Sequence, residues 1–513
     1  MATHLIALSL GTVTASAVLL HWSGPPPAGP FSTPTQPARD QQPEPLPTLD
    51  VMRTDFPAEL QNLAEQFQPA AAKAPGTANA WPTLMEAAAT MHRLWRQVLP
   101  PEGAPDDAPV PDFNFLRDPD GDPQMPADRK QATIRLTRDL MAKVAAAGVL
   151  EQLAAVRHSP RFVRSRLDSP QRRAELTALG TDEPWDGRLV LALLPELGVI
   201  RNIARMNAVR MMDAASAGDW PAFTDAMEVN FALARAATHQ TTLIDRLVGI
   251  AIQSLTIQEA MNHIGSRRPP DDTLDMIRAA LDRQLADLPP LDFQLRGERL
   301  FQLDCCRWVF SNAGELDLRQ LAHLTGGSPG DTPAVVRKAS REANVRVIEE
   351  LSLKCRRYAA LPAPQRRAAQ SPDAWLEEHK GADTLLAGVL LPAVGKACAS
   401  DDQIAIHREG FKAVIAIERF HRQTGGWPAS WDDLISRHLL PAPPPDPVSG
   451  QTLRYKRLDK PGATGAEYLV YSVGADGEDN GGVEIPSESE GNRYFALNGS
   501  PHGKGFDFII NRR

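Results

Sequence analysis

The sequence is poor in several features that would narrow its function directly. Cysteine occurs 4 times in 513 residues, as Cys305, Cys306, Cys355 and Cys398. No C-x-x-C pair is present, which excludes a zinc ribbon or a thioredoxin-like motif. Small buried thiols explain the four as well as a bond from Cys305 or Cys306 to Cys355. Aromatic residues make up 6% of the chain, which disfavours a sandwich or barrel rich in Val, Tyr and Thr. Positive charge is not in excess: 55 Lys and Arg against 63 Asp and Glu leave −8. An extended phosphate-binding surface, and with it a nucleic-acid partner, is therefore not expected. The zinc-protease motif H-E-x-x-H is absent. One E-x-x-H, Glu418 to His421, falls short of the pair that a di-iron bundle needs. Asp118 to Asp122 begins like an EF-hand loop but has Pro123 where that loop needs Gly and Arg129 where it needs Glu.

What is present organises the chain into four segments. Leu5 to Trp22 carries no Asp, Glu, Lys or Arg over 18 residues, which is roughly 27 Å as a helix at about 1.5 Å per residue. Residues 1–23 thus read as a membrane anchor, or as a cleaved secretory signal with Ala15-Ser16-Ala17 as the small-x-small site. Residues 24–49 form a Pro-rich linker, with nine prolines from Pro25 to Pro47, expected to be extended and mobile. Residues 50–400 show helical periodicity almost throughout, for example Ile134, Leu140, Met141, Val144, Leu150 and Leu153. The Pro- and Asp-rich stretch 100–126 reads as a loop. A helix from Glu196 to Ala217 stops at Gly218-Asp219 and restarts at Trp220-Pro221, an αα-hairpin by its stop and start signals. It resembles a tetratricopeptide unit, although no second copy follows at a 34-residue period. Thr242 to Ile264 is apolar on most sides and reads as the central helix. Further helices are expected at 272–285, 293–309, 337–361 and 373–399.

Beyond Asp401 the pattern changes. One helix, Gln403–Gln423, ends at Gly425-Gly426 and is followed by Trp427-Pro428 and a short helix capped by Ser430. Strands are expected at 452–457, 467–472 and 507–511. This order of a helix, Gly-Gly-Trp-Pro, Pro445-Asp446-Pro447, Gly450, Leu453-Arg454-Tyr455 and Tyr471 to Gly477 resembles the soluble domain of the type II secretion system major pseudopilin (G type). The resemblance implies that residues 401–513 form an α+β pilin-like domain, a helix on a small antiparallel sheet. It also implies calcium near the Asp476–Gly482 turn, with Asp476 and Asp479 as the metal ligands. Asp-Gly and Asn-Gly pairs equally serve a tight turn with no ion. Leu385 to Val394 is apolar but too short to cross a bilayer as a pilin helix does.

The whole chain also resembles a group of uncharacterised bacterial envelope proteins with an Ala/Leu-rich helical body. The matching pieces are Asn79-Ala80-Trp81-Pro82, Ser159-Pro160-Arg161-Phe162, the Gly218-Asp219 hairpin, Leu243 to Ala251, Gly297-Glu298-Arg299 and the tail. The expected fold is mainly α, a TPR-like body of helical hairpins followed by the pilin-like α+β domain. The expected function is that of a non-enzymatic, membrane-tethered envelope scaffold, periplasmic in bulk or secreted after cleavage, with unidentified protein partners and no certain cofactor besides the implied calcium. The alternatives are an exported enzyme with a groove near Glu298, Arg299, Asp304 and Arg246, and a secretion-system accessory.

Overall fold

A computed structural model describes residues 43–511, apart from 102, 106, 119–121, 123, 182–184, 186, 190, 191, 193, 286, 287, 326–337, 392, 393, 461–466, 487–494, 499 and 500. The expectation of a transmembrane helix is corrected here. Among the described residues no helix is long and apolar enough to cross a membrane, and the stretch 5–22 that suggested an anchor lies outside them.

Helix starts follow local chemistry. Helix α1 (Phe56–Gln66) is capped by Asp55, whose side chain accepts from Ala58 N, with Pro57 in the first turn. Helix α2 (Trp81–Val98) follows, then a short α3 (Phe113–Arg117) inside the stretch expected to be loop, capped by Asp112. Helices α4 (Ala127–Ala146) and α5 (Val149–Val156) are separated at Gly148, which adopts a φ of 76° that other residues resist. Helix α6 (Pro170–Ala178) starts on the Ser169 cap. Helices α2 to α5 surround one core containing Trp81, Leu84, Met91, Leu140, Leu153 and Ile200, whereas Phe56, Leu60 and Leu63 of α1 belong to another.

The hairpin is α7 (Pro195–Ala217) and α8 (Trp220–Thr238), with Gly218 at φ 72° and Asp219 accepting from Ala222 N. Helix α9 (Leu243–Arg267) starts from a capping box between Thr242 and Asp245. Helix α8 is covered by α7, α9 and α10 (Asp271–Leu285), and is buried along nearly its whole length. Then come α11 (Leu291–Val309), α12 (Leu318–Thr325), α13 (Arg341–Ala359), α14 (Ala363–Ala368), α15 (Pro372–Glu378), α16 (Leu385–Leu390) and α17 (Val394–Thr424). Around α11 and α13 a second core gathers Phe293, Leu303, Val309, Ile348 and Leu351. All four cysteines lie in it, buried and unbonded.

The single helix expected over 373–399 is divided into α15, α16 and the start of α17. That last helix is continuous through residue 401. The run Ser400-Asp401-Asp402 looks like a cap, but Ser400 Oγ donates back to Lys396 O at 3.0 Å. Asp401 pairs with Arg246, and Asp402 with Arg366. With its polar side chains committed elsewhere, the run leaves the helix unbroken. The boundary drawn at 400/401 therefore falls inside α17.

Helix α18 (Trp431–Ser436) starts on Ser430. Strands β1 (Arg454–Arg457), β2 (Tyr468–Ser472) and β3 (Phe508–Ile509) form an antiparallel sheet in the order β1-β2-β3, and α19 (Phe495–Asn498) precedes β3. Tyr455 pairs with Val470 and Ser472 with Phe508. The molecule is thus mainly helical with a small antiparallel sheet near its C-terminal end. Tyr468, Val470 and Phe508 share one apolar core with α17 and with Phe223, Met227 and Phe231 of α8.

Candidate functional site

Four motifs far apart in sequence meet at the turn between α8 and α9, residues 238–242. Asn79 holds the irregular segment 159–164: its Nδ2 donates to Val163 O at 2.7 Å and its Oδ1 accepts from Val163 N at 2.9 Å. Gln240, fully buried, donates to Phe162 O at 3.1 Å and accepts from Arg164 N at 3.2 Å. Gln294 of α11 donates to Thr238 O at 2.7 Å and Gln240 O at 3.0 Å, satisfying carbonyls that a buried turn would otherwise leave without partners. Gly297 gives α11 its approach: a Cβ there would lie 1.8 Å from Thr241 O. Its neighbour Glu298 accepts from Leu243 N at 2.7 Å, capping α9 from outside.

Beside this turn lies a buried charge cluster. Arg164 donates to both Asp245 oxygens, at 2.6 and 3.2 Å, and its Nε stands 2.9 Å from Glu196 Oε1. Arg172 donates to both Glu196 oxygens at 2.9 Å and reaches Glu175 at 3.3 Å. Glu175 also accepts from Ser165 Oγ at 2.6 Å and Trp81 Nε1 at 3.4 Å. Glu196 and Asp245 have no exposed surface. Burial would lift the Glu196 carboxyl, yet Arg172 and Arg164 together hold it below its ordinary range. Glu298 behaves the other way. Desolvation pushes it up to about 7 against the pull of the Leu243 amide, with Asp245 adding to the rise.

A narrow cleft opens next to the cluster, lined by Arg164, Gln240, Thr242, Leu60 and Phe301, among others. Its volume is about 30 Å³, which admits water but no organic substrate. A second, open cleft of about 390 Å³ is lined by Gly187, Arg188, Arg307, Trp308 and Gln320. There Arg188 stacks on Trp308, 4.9 Å from the ring centroid, and donates to Gln320 at 3.3 Å, while Arg307 is paired with Asp304.

The residues expected to line an enzymatic groove do not converge. Glu298 faces α9. Arg299 pairs with Glu349 on α13, Asp304 accepts from Leu189 N, and Arg246 pairs with Asp401 on α17. In the tail, Asp476 accepts from Glu478 N and Gly505 N at 3.1 and 2.9 Å. Asp479 accepts from Tyr471 Oη and Gly481 N, both at 3.0 Å, and from Arg454 Nε at 3.1 Å. These carboxylates point at amides, a phenol and a guanidinium rather than at a common centre. Among the described residues no group of three or more His, Cys, Asp or Glu could hold a metal ion. As arranged, the loop does not fit the calcium ion that the pseudopilin resemblance implies. Glu418 accepts from Tyr468 Oη at 2.9 Å, and His421 stacks on Trp427 with centroids 3.9 Å apart.

Sequence reasoning picked out Glu298 and the pieces of chain that meet here but missed Arg164, Arg172, Glu196 and Asp245, whose pairing spans 24 to 81 residues. No protein family, curated protein or solved structure matches the chain.

Proposed function

We propose that the protein is a non-enzymatic scaffold that binds other proteins in the cell envelope, presenting the helical body and the tail as one surface. The observation that carries this reading is the closure of the charge cluster beside the 238–242 turn: Arg164 and Arg172 are both bound to buried carboxylates, next to a cleft too small for an organic substrate. Buried charges held in this way define one conformation and leave no group free to act on a ligand. Location outside the cytosol is part of the same proposal and rests on the charge-free stretch Leu5–Trp22 and the prolines after it. The finer reading of the tail as pilin-like is supported by α17 packed on β2 and by the tight Gly474–Gly477 turn.

Cross-linking of the full chain in its native cells, followed by mass spectrometry and fractionation, tests this. We expect cross-links to one recurring protein, mapped to one face, from the envelope fraction. Recovery as a free monomer in the cytosolic fraction would overturn it. A second reading, an exported enzyme with Glu298 as an acid–base group, is favoured by that carboxyl's position near neutrality. It requires Glu298→Gln to abolish a turnover that the unaltered chain shows.

A further inference from the structure

The described chain begins with an alternating run, Pro43-Glu44-Pro45-Leu46-Pro47. Proline fixes its own φ near −65° and drives the residue before it into extended or polyproline II backbone. Both halves of the alternation therefore favour a polyproline II strand. Such a strand repeats every three residues, so the carbonyls of Glu44 and Pro47 face the same side, roughly 9 Å apart at about 3.1 Å per residue.

Both carbonyls are held by arginines of adjacent helices. Arg356 Nη1 of α13 donates to Glu44 O at 2.9 Å, and Arg299 Nη2 of α11 donates to Pro47 O at 2.6 Å. Each guanidinium is oriented by a carboxylate: Arg356 by Asp292 at 2.5 Å, and Arg299 by Glu349 at 2.6 and 2.7 Å. The two arginines are 2% and 5% exposed, whereas the side chains of Glu44, Pro45 and Pro47 face solvent. What the two arginines grip is thus the backbone, at residues three apart, which is the repeat of polyproline II. Any peptide of that conformation offers the same carbonyls.

We propose that the groove between α11 and α13 is a recognition site for proline-rich peptides in the polyproline II conformation, filled in this chain by its own residues 43–47. The inference goes beyond the scaffold reading and stands without it, since it concerns a single peptide chemistry and needs neither an envelope location nor a protein partner. Selectivity comes from conformation, because a flexible peptide must be ordered before its carbonyls align. The resident strand competes from within the chain at an effective concentration of order mM.

The test uses the full chain with P43G, P45G and P47G combined, which loosens the resident strand through exposed or half-buried positions. A fluorescent synthetic peptide of residues 41–50 is titrated against it and followed by anisotropy. We expect saturable binding at least about tenfold tighter than to the unaltered chain, whose groove is filled. The same peptide with its prolines replaced by glycine should bind at least about tenfold more weakly. Adding R356K, which keeps the charge but loses the fork, should weaken binding by a similar factor. Absence of saturable binding to a variant with unchanged circular dichroism, or equal binding of the proline-free peptide, would overturn the proposal. Should the triple variant fail to fold, the unaltered chain still decides. A fluorophore attached through Glu44→Cys, at an exposed position of the otherwise unaltered chain, should lose anisotropy when excess unlabelled peptide displaces the resident strand, and unchanged anisotropy would overturn it.

Discussion

Glu196 has no exposed surface and lies between two guanidiniums, so its charge is tolerable only while both are present. Glu196→Gln removes one partner from Arg164 and Arg172 together. Breaking a buried pair in this way costs about 3–5 kcal/mol, readable as a lower midpoint in urea. The exposed pair Arg138–Asp213 is the control, since Asp213→Asn should change stability by less than about 0.5 kcal/mol. Glu298 gives the opposite pH dependence. Its carboxyl ionises at an ordinary value of 4.5 when unfolded and near 7 when folded. Between these limits the folded chain holds the additional proton, so this group's contribution to stability falls as pH rises through the window. Glu298→Gln is neutral throughout and should remove that fall, gaining up to about 3 kcal/mol over the unaltered chain by pH 8, less whatever solvent screens at this half-buried side chain. Urea melts of both chains at pH 4.5, 5.5, 7 and 8 check it. A difference that does not change with pH would refute the assignment.

At the scale of elements, the contact between α11 and the α8–α9 turn depends on the missing side chain of Gly297. Gly297→Ala drives a methyl into Thr241 O and the carbonyl carbon, at 1.8 and 2.9 Å, and neither can swing aside as a side chain would. The cost should be on the order of 3 kcal/mol, from forcing two elements apart. Gly198→Ala on α7 meets nothing within 4 Å and should be neutral or stabilising by up to about 1 kcal/mol. Thermal melts of the two variants side by side separate the packing effect from helix propensity. Most of these elements were legible because apolar spacing and cap residues act locally: Gly148, Gly218-Asp219 and Ser430 mark their helix ends in the sequence as they do in the structure. Helix α3 was not, because five residues are too few to show a period, although Asp112 caps it and Phe113, Phe115 and Leu116 are buried. The start of α17 was obscured by Ser400-Asp401-Asp402, whose side chains bind Lys396 O, Arg246 and Arg366 instead of a helix end. The charge cluster was illegible for a related reason. Arg164, Arg172, Glu196 and Asp245 find one another only after three helices have packed, and no local spacing records that.

At the scale of the molecule, α17 joins the tail to the body through packing as well as chain continuity. Ile404, Phe411, Val414, Ile415, Ile417 and Phe420 are buried in the same core as Phe231, Ile257, Ile264 and Ile277 of α8, α9 and α10. Burying each such side chain is worth about 1.5–3 kcal/mol, so six together match or exceed the roughly 5–15 kcal/mol that holds an ordinary domain folded. Among the described residues five ion pairs also cross from α17 to the body: Arg246–Asp401, Arg366–Asp402, Lys412–Asp282, Arg419–Asp275 and Arg422–Asp271. A chain ending at residue 400 should therefore lose the lid of its central core, expose α9 and α10, and aggregate or melt without a cooperative transition. Residues 401–513 expressed alone would expose the other half of the same surface. Circular dichroism melts of the full chain and of the chain cut at 400 distinguish this arrangement from two independent units. If the truncated chain unfolds cooperatively within a few degrees of the full one, the core that α17 shares with α8, α9 and α10 contributes little. The tail would then be an appended module, and partner binding could be assigned to it separately.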